Sequence, residues 1–268
     1  MNFDEIGSLV LLGCGKMGSA LLQGWLSRGL APSNVWVVDP HPSDWLKGQG
    51  VHVNTTLPDT PDVVLVAVKP QMITETVPDL GKFGRGKTLF VSIAAGTTLA
   101  TFANLLGADV AVVRTMPNTP AAIGRGITAL VGNGNVDAPK LALAEALLSV
   151  VGQTVTLQDE AQIDAVTGVS GSGPAYVFHL IETLAAGGVA QGLSPELAMT
   201  LAKATVAGAG ALAEASGDSP EQLRINVTSP GGTTAAALQV LMDEDTGFPA
   251  LLPRAVKAAT DRSKELGK

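Results

Sequence analysis

The sequence predicts an α/β protein, with an N-terminal Rossmann-type doubly wound sheet followed by an all-α C-terminal dimerisation domain. Short apolar runs alternate with loops or helical patterns up to about residue 158, and after about residue 160 only helical patterns remain. A glycine-rich loop follows the first apolar run. Strands that alternate with helices are typical of parallel α/β sheets. We therefore place the sheet domain at residues 1–160 and the helical domain at residues 161–268.

Seven short runs rich in apolar and β-branched residues predict the strands. Several are apolar at nearly every position, as expected for parallel strands that are buried on both faces. In chain order they are SLVLLG, NVWVVD, DVVLVAV, TLFVSIA, DVAVVR, GITALVG and QTVTLQ.

The helical part carries recognisable start signals. Pro174 suits the first position of a helix that runs through PAYVFHLIETLAAGGVAQG. Ser194, followed by Pro195, is predicted to cap the next helix, and Ser219 with Gln222 three residues later predicts a capping box. The stretches SPGGTTAAALQVLMDE and FPALLPRAVKAATDRSKEL complete the set.

The helical domain is also poor in charge, with five charged residues between Gln162 and Ser216. A helix that is apolar nearly all round must be buried by something. We expect a homo-oligomer that packs through this domain, with small residues at 185–188 and 207–211 allowing close helix approach. The alternative is a central helix surrounded by other helices of its own chain.

The overall composition excludes several classes of protein. The 268 residues are 46% hydrophobic with a net charge of −7, which argues against nucleic-acid and anionic-membrane partners. The acidic start MNFDEIGSLV does not resemble a signal peptide, and no apolar run is long enough for a membrane span. The single cysteine, Cys14, excludes an intrachain disulfide and fits a reducing compartment. We expect a soluble, cytoplasmic protein.

The loop GCGKMG, residues 13–18, predicts a nicotinamide or flavin dinucleotide site because it follows a strand and opens a helix. Gly13 would make the turn, Gly15 would let the pyrophosphate approach, and Gly18 would allow close helix–strand packing. The next strand ends on Asp39, 21 residues after Gly18. This is the spacing of an acid that binds the cofactor ribose.

Asp39 leaves the choice of cofactor open. An acid at this position favours NAD and repels the 2′-phosphate of NADP, whereas Ser43 or Lys47 nearby would attract a phosphate. The alternative is that Asp39 only caps the strand end before Pro40.

Three further segments end strands at the edge where α/β sheets bind ligands. VAVKPQ presents Lys69 and Pro70, and we expect this lysine to contact the cofactor or its neighbouring loop. SIAAG ends in small residues, which would permit close approach of a cofactor. In MPNTP, Asn118 would offer its amide to the nicotinamide carboxamide, or the segment is an ordinary proline turn.

The turn SPGGTT, residues 229–234, predicts an anion site because its glycines and the following helix start leave backbone N–H groups bare. It lies more than two hundred residues after the glycine loop, so either a different anion binds there or the segment is only a turn. No metal site is predicted, since His41, His52 and His179 form no spaced ligand set and Cys14 is alone.

The segments GCGKMG, VAVKP, VSIAAG, MPNTP, GVSGSGPAYVF and NVTSPGGTT occur in this order, and over essentially its whole length the chain resembles the pyrroline-5-carboxylate reductase family. The last two segments are the most specific. The resemblance implies a Rossmann domain and a helical domain that forms a homodimer, often assembled further into a decamer. It also implies reduction of L-1-pyrroline-5-carboxylate to L-proline, the last step of proline biosynthesis, by NADPH or alternatively NADH.

The resemblance further implies which residues act. Thr234 would lie near the ring nitrogen as the catalytic residue, and the substrate carboxylate would be held by Ser229, Gly231, Gly232 and Thr233. Motifs and resemblance together give the predicted cofactor set: Gly13, Gly15, Lys16, Met17, Gly18, Asp39, Asn54, Ala67, Val68, Lys69, Pro70, Ala94 and Asn118. Asp39 departs from the family pattern, in which a small or hydroxylated residue accompanies a preference for NADPH.

Two rival functions remain at this point. β-Hydroxyacid dehydrogenases share the two-domain plan and a motif like VSGSGPA, but they need a lysine in the following helix, and residues 168–199 contain no lysine or arginine. A non-catalytic protein that senses dinucleotide is the other rival, although such a protein would not need SPGGTT.

Overall fold

A computed structural model describes Phe3, residues 6–85 and residues 87–267. Part of the acidic N-terminal segment therefore lies outside the described residues. The chain divides into two compact units. The first runs to Gly171 and also takes in the segment from Ala259 onward, and the second is Ser172–Ala258. The domain boundary expected after residue 160 stays a prediction.

The first unit is built on one eight-stranded sheet with the order β3-β2-β1-β4-β5-β6-β7-β8. Its strands are β1 Leu9–Leu12, β2 Val35–Val38, β3 His52–Val53, β4 Val63–Val66, β5 Leu89–Ser92, β6 Ala111–Met116, β7 Gly126–Gly132 and β8 Gly152–Thr156. The first six strands are parallel. The chain reverses its direction of travel across the sheet between β1 and β4, which is where such folds bind ligands. The predicted doubly wound sheet is confirmed.

The predicted strand runs all correspond to strands, and β3 is an additional one. Only two residues long, β3 pairs with β2 through Trp36 and Val37. A pattern of alternating or continuous apolar residues needs about four positions to be recognised, so β3 left no usable signal in the sequence.

The strand β7 runs antiparallel to β6, and β8 then pairs with β7 in parallel. Between β6 and β7 the chain forms only a short 3₁₀ turn, Thr119–Ile123. A parallel crossover needs a dozen or more residues, so this short link forces the chain to reverse. The turn carrying Asn118 is therefore a direct connection between neighbouring strands.

Alternate residues of the central strands pack into two hydrophobic cores, one on each face of the sheet. Leu9 and Leu11 belong to the core that includes Leu22 and Trp25 of the first helix. Val10 and Leu12 belong to the other core, which includes Phe102. This two-sided burial explains why β1, β4 and β5 are buried at every position.

Six α-helices accompany this sheet: α1 Lys16–Ser27, α2 Asp44–Lys47, α3 Ile73–Thr76, α4 Leu99–Leu106, α5 Ala138–Leu148 and α6 Gln162–Val166. The buried indole of Trp25 donates to the carbonyl of Leu147 over 2.7 Å and so joins α1 to α5. A π-helical turn, Thr167–Gly171, follows α6 and ends the continuous part of the unit.

The last described residues pack against the sheet unit. The hydroxyl of Ser263 donates to Asp164 over 2.6 Å. A Cβ added to Gly96 would lie 3.1 Å from the carbonyl oxygen of Leu266. The segment from Ala259 onward is therefore part of the first unit in structure, although the second unit separates the two parts in sequence.

The second unit is helical, as predicted. It contains α7 Gly173–Ala190, α8 Pro195–Ala215, α9 Pro220–Asn226, α10 Thr233–Leu241 and the first part of α11 Phe248–Leu266. Ser194 and Ser219 cap α8 and α9 by accepting backbone N–H groups, as the sequence indicated. The capping box is only half formed, because the Gln222 side chain donates to Asn226 and does not accept the backbone N–H of Ser219 in the described structure.

Helices α7 and α8 meet through small residues, and much of their apolar surface is exposed. Ala185, Ala198 and Ala202 are buried in this hairpin. Larger side chains on the same helices are not covered within the single chain, and Phe178 and Leu201 are 57% and 48% exposed. The arrangement does not favour the alternative of a helix buried within its own chain. None of the helices among the described residues is long and apolar enough to span a membrane.

Candidate functional site

The turn after β1 requires glycine at its first position. Gly13 has φ +89°, a conformation that side chains with a Cβ rarely adopt. Its N–H donates to the carbonyl of Val38 over 2.8 Å, and an added Cβ would come within 2.9 Å of the Ala67 carbonyl oxygen. Gly13 therefore packs the loop tightly between β2 and the end of β4.

Gly18 and Gly15 have different surroundings. A Cβ at Gly18 would lie 2.5 Å from the carbonyl oxygen of Gly13, whereas a Cβ at Gly15 would have no described atom within 4 Å. Gly15 begins α1 without a side-chain cap, and the first turn holds no acid. Exposed Lys16 and half-buried Met17 follow. Bare N–H groups facing open space are what a pyrophosphate needs, so the loop fits a dinucleotide.

The side chain of Asp39 holds the glycine loop. Its Oδ2 accepts the N–H of Cys14 over 2.7 Å, and its Oδ1 accepts the N–H of His41 over 2.8 Å. The Asn54 side chain binds the backbone of Asp39. Its Oδ1 accepts the N–H of Asp39 over 2.9 Å, and its Nδ2 donates to the carbonyl of Asp39 over 2.8 Å. The carboxylate therefore does more than cap the end of β2.

Asn54 has φ 51°, the one left-handed conformation of a non-glycine residue in the described chain. Asparagine tolerates this region better than most residues. The backbone N–H of Asn54 donates to Val37 over 2.9 Å, so the turn that follows β3 is tied to β2 from both its side chain and its backbone. This role could not be predicted from the sequence, since the two residues in contact, Asn54 and Asp39, are 15 positions apart.

The two residues considered as phosphate ligands have other partners. The hydroxyl of Ser43 caps α2 by accepting the N–H of Leu46 over 3.2 Å. The ammonium of Lys47 pairs with Asp44 over 3.1 Å on the exposed surface of the same short helix.

The end of β4 lies beside the loop, and β5 is the neighbour of β4 in the sheet. Ala67 donates its N–H to Leu12 over 2.7 Å, and Ala67 and Val68 supply the atoms closest to Gly13. Lys69 and Pro70 follow and are exposed at the carboxyl edge of the sheet. Ala94 is buried after β5, and its N–H donates to the hydroxyl of Ser92 over 3.2 Å.

The amide of Asn118 fixes its own loop. Its Oδ1 accepts the N–H of Ile127 over 2.9 Å, and its Nδ2 donates to the carbonyl of Ser170 in the π-helical turn over 3.2 Å. The sequence did not predict this link between the MPNTP and GVSGSG segments. Within the described part of the chain, Nδ2 has this one acceptor for its two hydrogens. The expected carboxamide contact stays a prediction.

A partly buried ion pair supports this edge of the sheet and was missed from the sequence. Arg114, 4% exposed, donates from Nη1 to Glu160 over 2.6 Å. The same Glu160 oxygen accepts the N–H of Leu99 at the start of α4 over 2.8 Å. The pair joins β6, α4 and the chain before α6.

Cys14 lies inside the glycine loop and is partly buried. Burial raises the pKa of its thiol to about 11, with the nearby charge of Asp39 as a second cause. The thiol is therefore protonated at neutral pH and unsuited to act as a nucleophile.

The predicted substrate residues lie together in one turn of the second unit. Gly231 has φ +70°, and the N–H of Gly232 donates to the carbonyl of Ser229 over 3.0 Å. Helix α10 then begins at Thr233 without a side-chain cap and without an acid in its first turn. An added Cβ at Gly232 would come within 2.6 Å of the Ser229 hydroxyl, so the glycine keeps this turn tight.

Three hydroxyl groups at this turn have no hydrogen-bond partner in the described part of the chain: those of Ser229, Thr233 and Thr234. Thr234 is half-buried and the other two are exposed. Free hydroxyls together with uncapped N–H groups at a helix start fit a small anion such as a carboxylate.

The structure thus groups the predicted residues into two sets. The cofactor set lies at the carboxyl ends of strands in the first unit, and the substrate set lies in the second unit. A cavity of about 600 Å³ elsewhere in the first unit is lined by Gly81, Gly84 and residues 106–110, none of which is a predicted site residue. No cluster of three or more potential metal ligands occurs among the residues described.

Two family models match separate parts of the chain. Residues 160–266 match a family model described as pyrroline-5-carboxylate reductase dimerisation. Residues 8–96 match one described as NADP oxidoreductase, coenzyme F420-dependent.

Individual relatives match over nearly the whole chain. A pyrroline-5-carboxylate reductase from Synechocystis sp. is 42% identical over 267 residues, 97% of this chain and 98% of that protein. The structure of a Coxiella burnetii pyrroline-5-carboxylate reductase has a TM-score of 0.93 at 35% identity, covering 98% of this chain and 100% of that one. A Plasmodium falciparum pyrroline carboxylate reductase with NADP bound has a TM-score of 0.84 at 29% identity, covering 99% of both chains. With this identity over nearly its full length, the chain belongs to the pyrroline-5-carboxylate reductase family.

Proposed function

We propose that this protein reduces L-1-pyrroline-5-carboxylate to L-proline, the last step of proline biosynthesis. The observation that carries the proposal is the turn before α10. It presents bare N–H groups and three hydroxyls that have no partner among the described residues, and it is suited to a small substrate with one carboxylate. Family membership supports the same reaction.

The turn would bind the substrate carboxylate. Gly232 keeps the turn tight and Gly231 leaves its backbone accessible. The hydroxyl of Ser229 and the N–H of Thr233 are donors of the kind that a carboxylate needs. Because the positive end of the α10 dipole lies here, a negative charge is stabilised by roughly 0.3–1 kcal/mol at an exposed site. Charge-assisted hydrogen bonds add to this.

The reaction would need little acid–base chemistry from the protein. A reduced nicotinamide dinucleotide supplies the hydride, and the protonated imine of the substrate is already electrophilic at C5. The hydroxyl of Thr234 would orient the ring nitrogen or pass a proton to it through water. Orientation of the reacting atoms can lower a barrier by several kcal/mol, up to about 7–11 in favourable cases.

The residues proposed to hold the dinucleotide are those of the carboxyl edge of the sheet. The N–H groups of Gly15, Lys16 and Met17 would bind the pyrophosphate, with Gly13 and Gly18 shaping the loop. Asp39 and Asn54 would contact the adenosine ribose, and the set Ala67, Val68, Lys69, Pro70, Ala94 and Asn118 would line the remainder of the cofactor site. The resemblance implies NADPH or NADH, and the NADP bound to the Plasmodium relative supports a nicotinamide dinucleotide.

We also propose a homodimer that forms through the second unit, with a decamer as the larger assembly that the resemblance implies. The exposed apolar side chains of α7 and α8 and the match to a dimerisation model support the dimer. An interface of this kind would cover Phe178 and Leu201.

The test is the loss of reduced-nicotinamide absorbance with L-1-pyrroline-5-carboxylate, with proline identified as the product. Turnover with NADH or NADPH supports the proposal. Dinucleotide binding without any turnover of the imine would contradict the proposal. It would favour the alternative of a non-catalytic protein that senses dinucleotide. A β-hydroxyacid substrate serves as the negative control, since residues 168–199 lack the lysine that such chemistry needs.

A further inference from the structure

We propose that Asp39 makes this protein select NADH over NADPH, and that it does so while holding the glycine loop in shape. The inference rests on the proposed function, because it concerns the dinucleotide of that reaction. It departs from the NADPH preference that the family resemblance implies.

The first step is the fixed position of the carboxylate. Asp39 follows β2, and an acid at this place in the fold binds the ribose hydroxyls of NAD. Its two oxygens accept the N–H groups of Cys14 and His41 over 2.7 and 2.8 Å, and Asn54 holds its backbone. The side chain cannot turn away from a phosphate without breaking both of its hydrogen bonds.

The second step is that this carboxylate can still bind a ribose. Each carboxylate oxygen accepts more than one hydrogen bond, and each oxygen of Asp39 has one donor in the described structure. A ribose hydroxyl can therefore donate to it without displacing the loop. A 2′-phosphate carries nearly two negative charges and offers no comparable donor, so it would meet repulsion instead.

The third step is the lack of compensating charge in the segment from Asp39 to Asn54. Between residues 39 and 54 the chain has two aspartates and one lysine, and that lysine, Lys47, pairs with Asp44. Ser43 caps α2. His52 stacks on Trp36 with ring centres 4.6 Å apart, and its Nε2 lies 3.0 Å from the Ser33 carbonyl. The ring of His41 is the remaining side chain of this segment that could meet a phosphate.

Equilibrium binding of NADH and NADPH to the full chain, without substrate, tests the proposal directly. We expect NADH to bind about tenfold or more tightly than NADPH at low salt, with the difference shrinking as salt screens the repulsion. Asp39→Asn keeps a hydrogen-bond acceptor but removes the charge, and should reduce the NADH-to-NADPH ratio about tenfold, mainly by tightening NADPH.

Asp109→Asn is the matched control, since Asp109 is an exposed acid before β6, at the opposite edge of the sheet. It should leave the ratio unchanged. Equal or tighter binding of NADPH by the unmodified protein would overturn the inference without any variant, and so would an unchanged ratio in a folded Asp39→Asn protein. Because binding is measured without the imine, selective NADH binding without imine turnover would uphold the inference while refuting the proposed reaction.

Discussion

Gly15 and Gly18 belong to the same motif, but substitution by alanine should affect different properties. It should lower stability at Gly18 and dinucleotide affinity at Gly15. At Gly18 the new methyl would lie 2.5 Å from the Gly13 carbonyl oxygen, a backbone atom that cannot move aside alone. Overpacking of this kind costs about 1–3 kcal/mol. For a protein of this size each kcal/mol lowers Tm by roughly 2–4 °C.

At Gly15 the new methyl would enter open space, and the backbone, with φ −70° and ψ −162°, suits any residue. The free energy of unfolding should therefore change by less than about 1 kcal/mol. The same methyl would occupy the space that a pyrophosphate needs next to the bare N–H groups of α1. Losing one such charged hydrogen bond costs about 1.5–3 kcal/mol, which weakens binding by about tenfold to a hundredfold.

The two variants should be compared at one protein concentration, by thermal unfolding and by dinucleotide binding. Gly18→Ala should lose stability, and Gly15→Ala should lose affinity while its Tm stays near that of the parent. Tight dinucleotide binding by a folded Gly15→Ala protein would refute the assignment of this open space to the pyrophosphate. An unchanged Tm for Gly18→Ala would show that the loop relaxes more easily than its packing indicates.

Three further predictions concern other parts of the molecule. Thr234→Ala should slow imine turnover by roughly ten- to a thousandfold and Thr234→Ser much less; unchanged turnover in the alanine variant would rule out the role of the hydroxyl. With its pKa near 11, Cys14 should be alkylated about tenfold or more slowly than a free thiol at pH 8. In the unfolded protein this thiol ionises at a lower pH than in the folded protein. The free energy of unfolding should therefore fall as pH rises from 9 to 11. Leu201→Glu should reduce the sedimentation mass to one chain, whereas Ile123→Glu, on the first unit, should not.

The fold could be predicted from the sequence because its signals are local. Strands buried on both faces are continuous apolar runs, and Ser194 and Ser219 cap helices through residues three positions away. The direction of β7 was not predicted, since it depends on how far a short connection reaches and not on the residues of the strand. The strand β3 is too short for any pattern.

The site was less accessible to such reasoning. The glycine roles could be anticipated because each is a steric requirement that only glycine meets. The hold of Asn54 on Asp39 and the link from Asn118 to Ser170 join segments that lie far apart in sequence. They become visible only once the chain is folded. Ser43 and Lys47 are residue types that bind phosphate, and the sequence therefore offered them as candidates. In the folded chain each instead bonds to a residue of the short helix α2.

The docking of the segment after Ala259 has a consequence for how the protein is made. Ser263 and Asp164 are 99 positions apart, and the whole second unit is synthesised between them. The parallel strands of the sheet can pair while the chain is still being synthesised. The contacts of Gly96 with Leu266 and of Asp164 with Ser263 can form only after the end of α11 has been made. Closing such a long loop is slow and leaves a partly completed unit exposed meanwhile. Maturation of this protein should therefore end with a late docking step at the sheet, after its helices have formed.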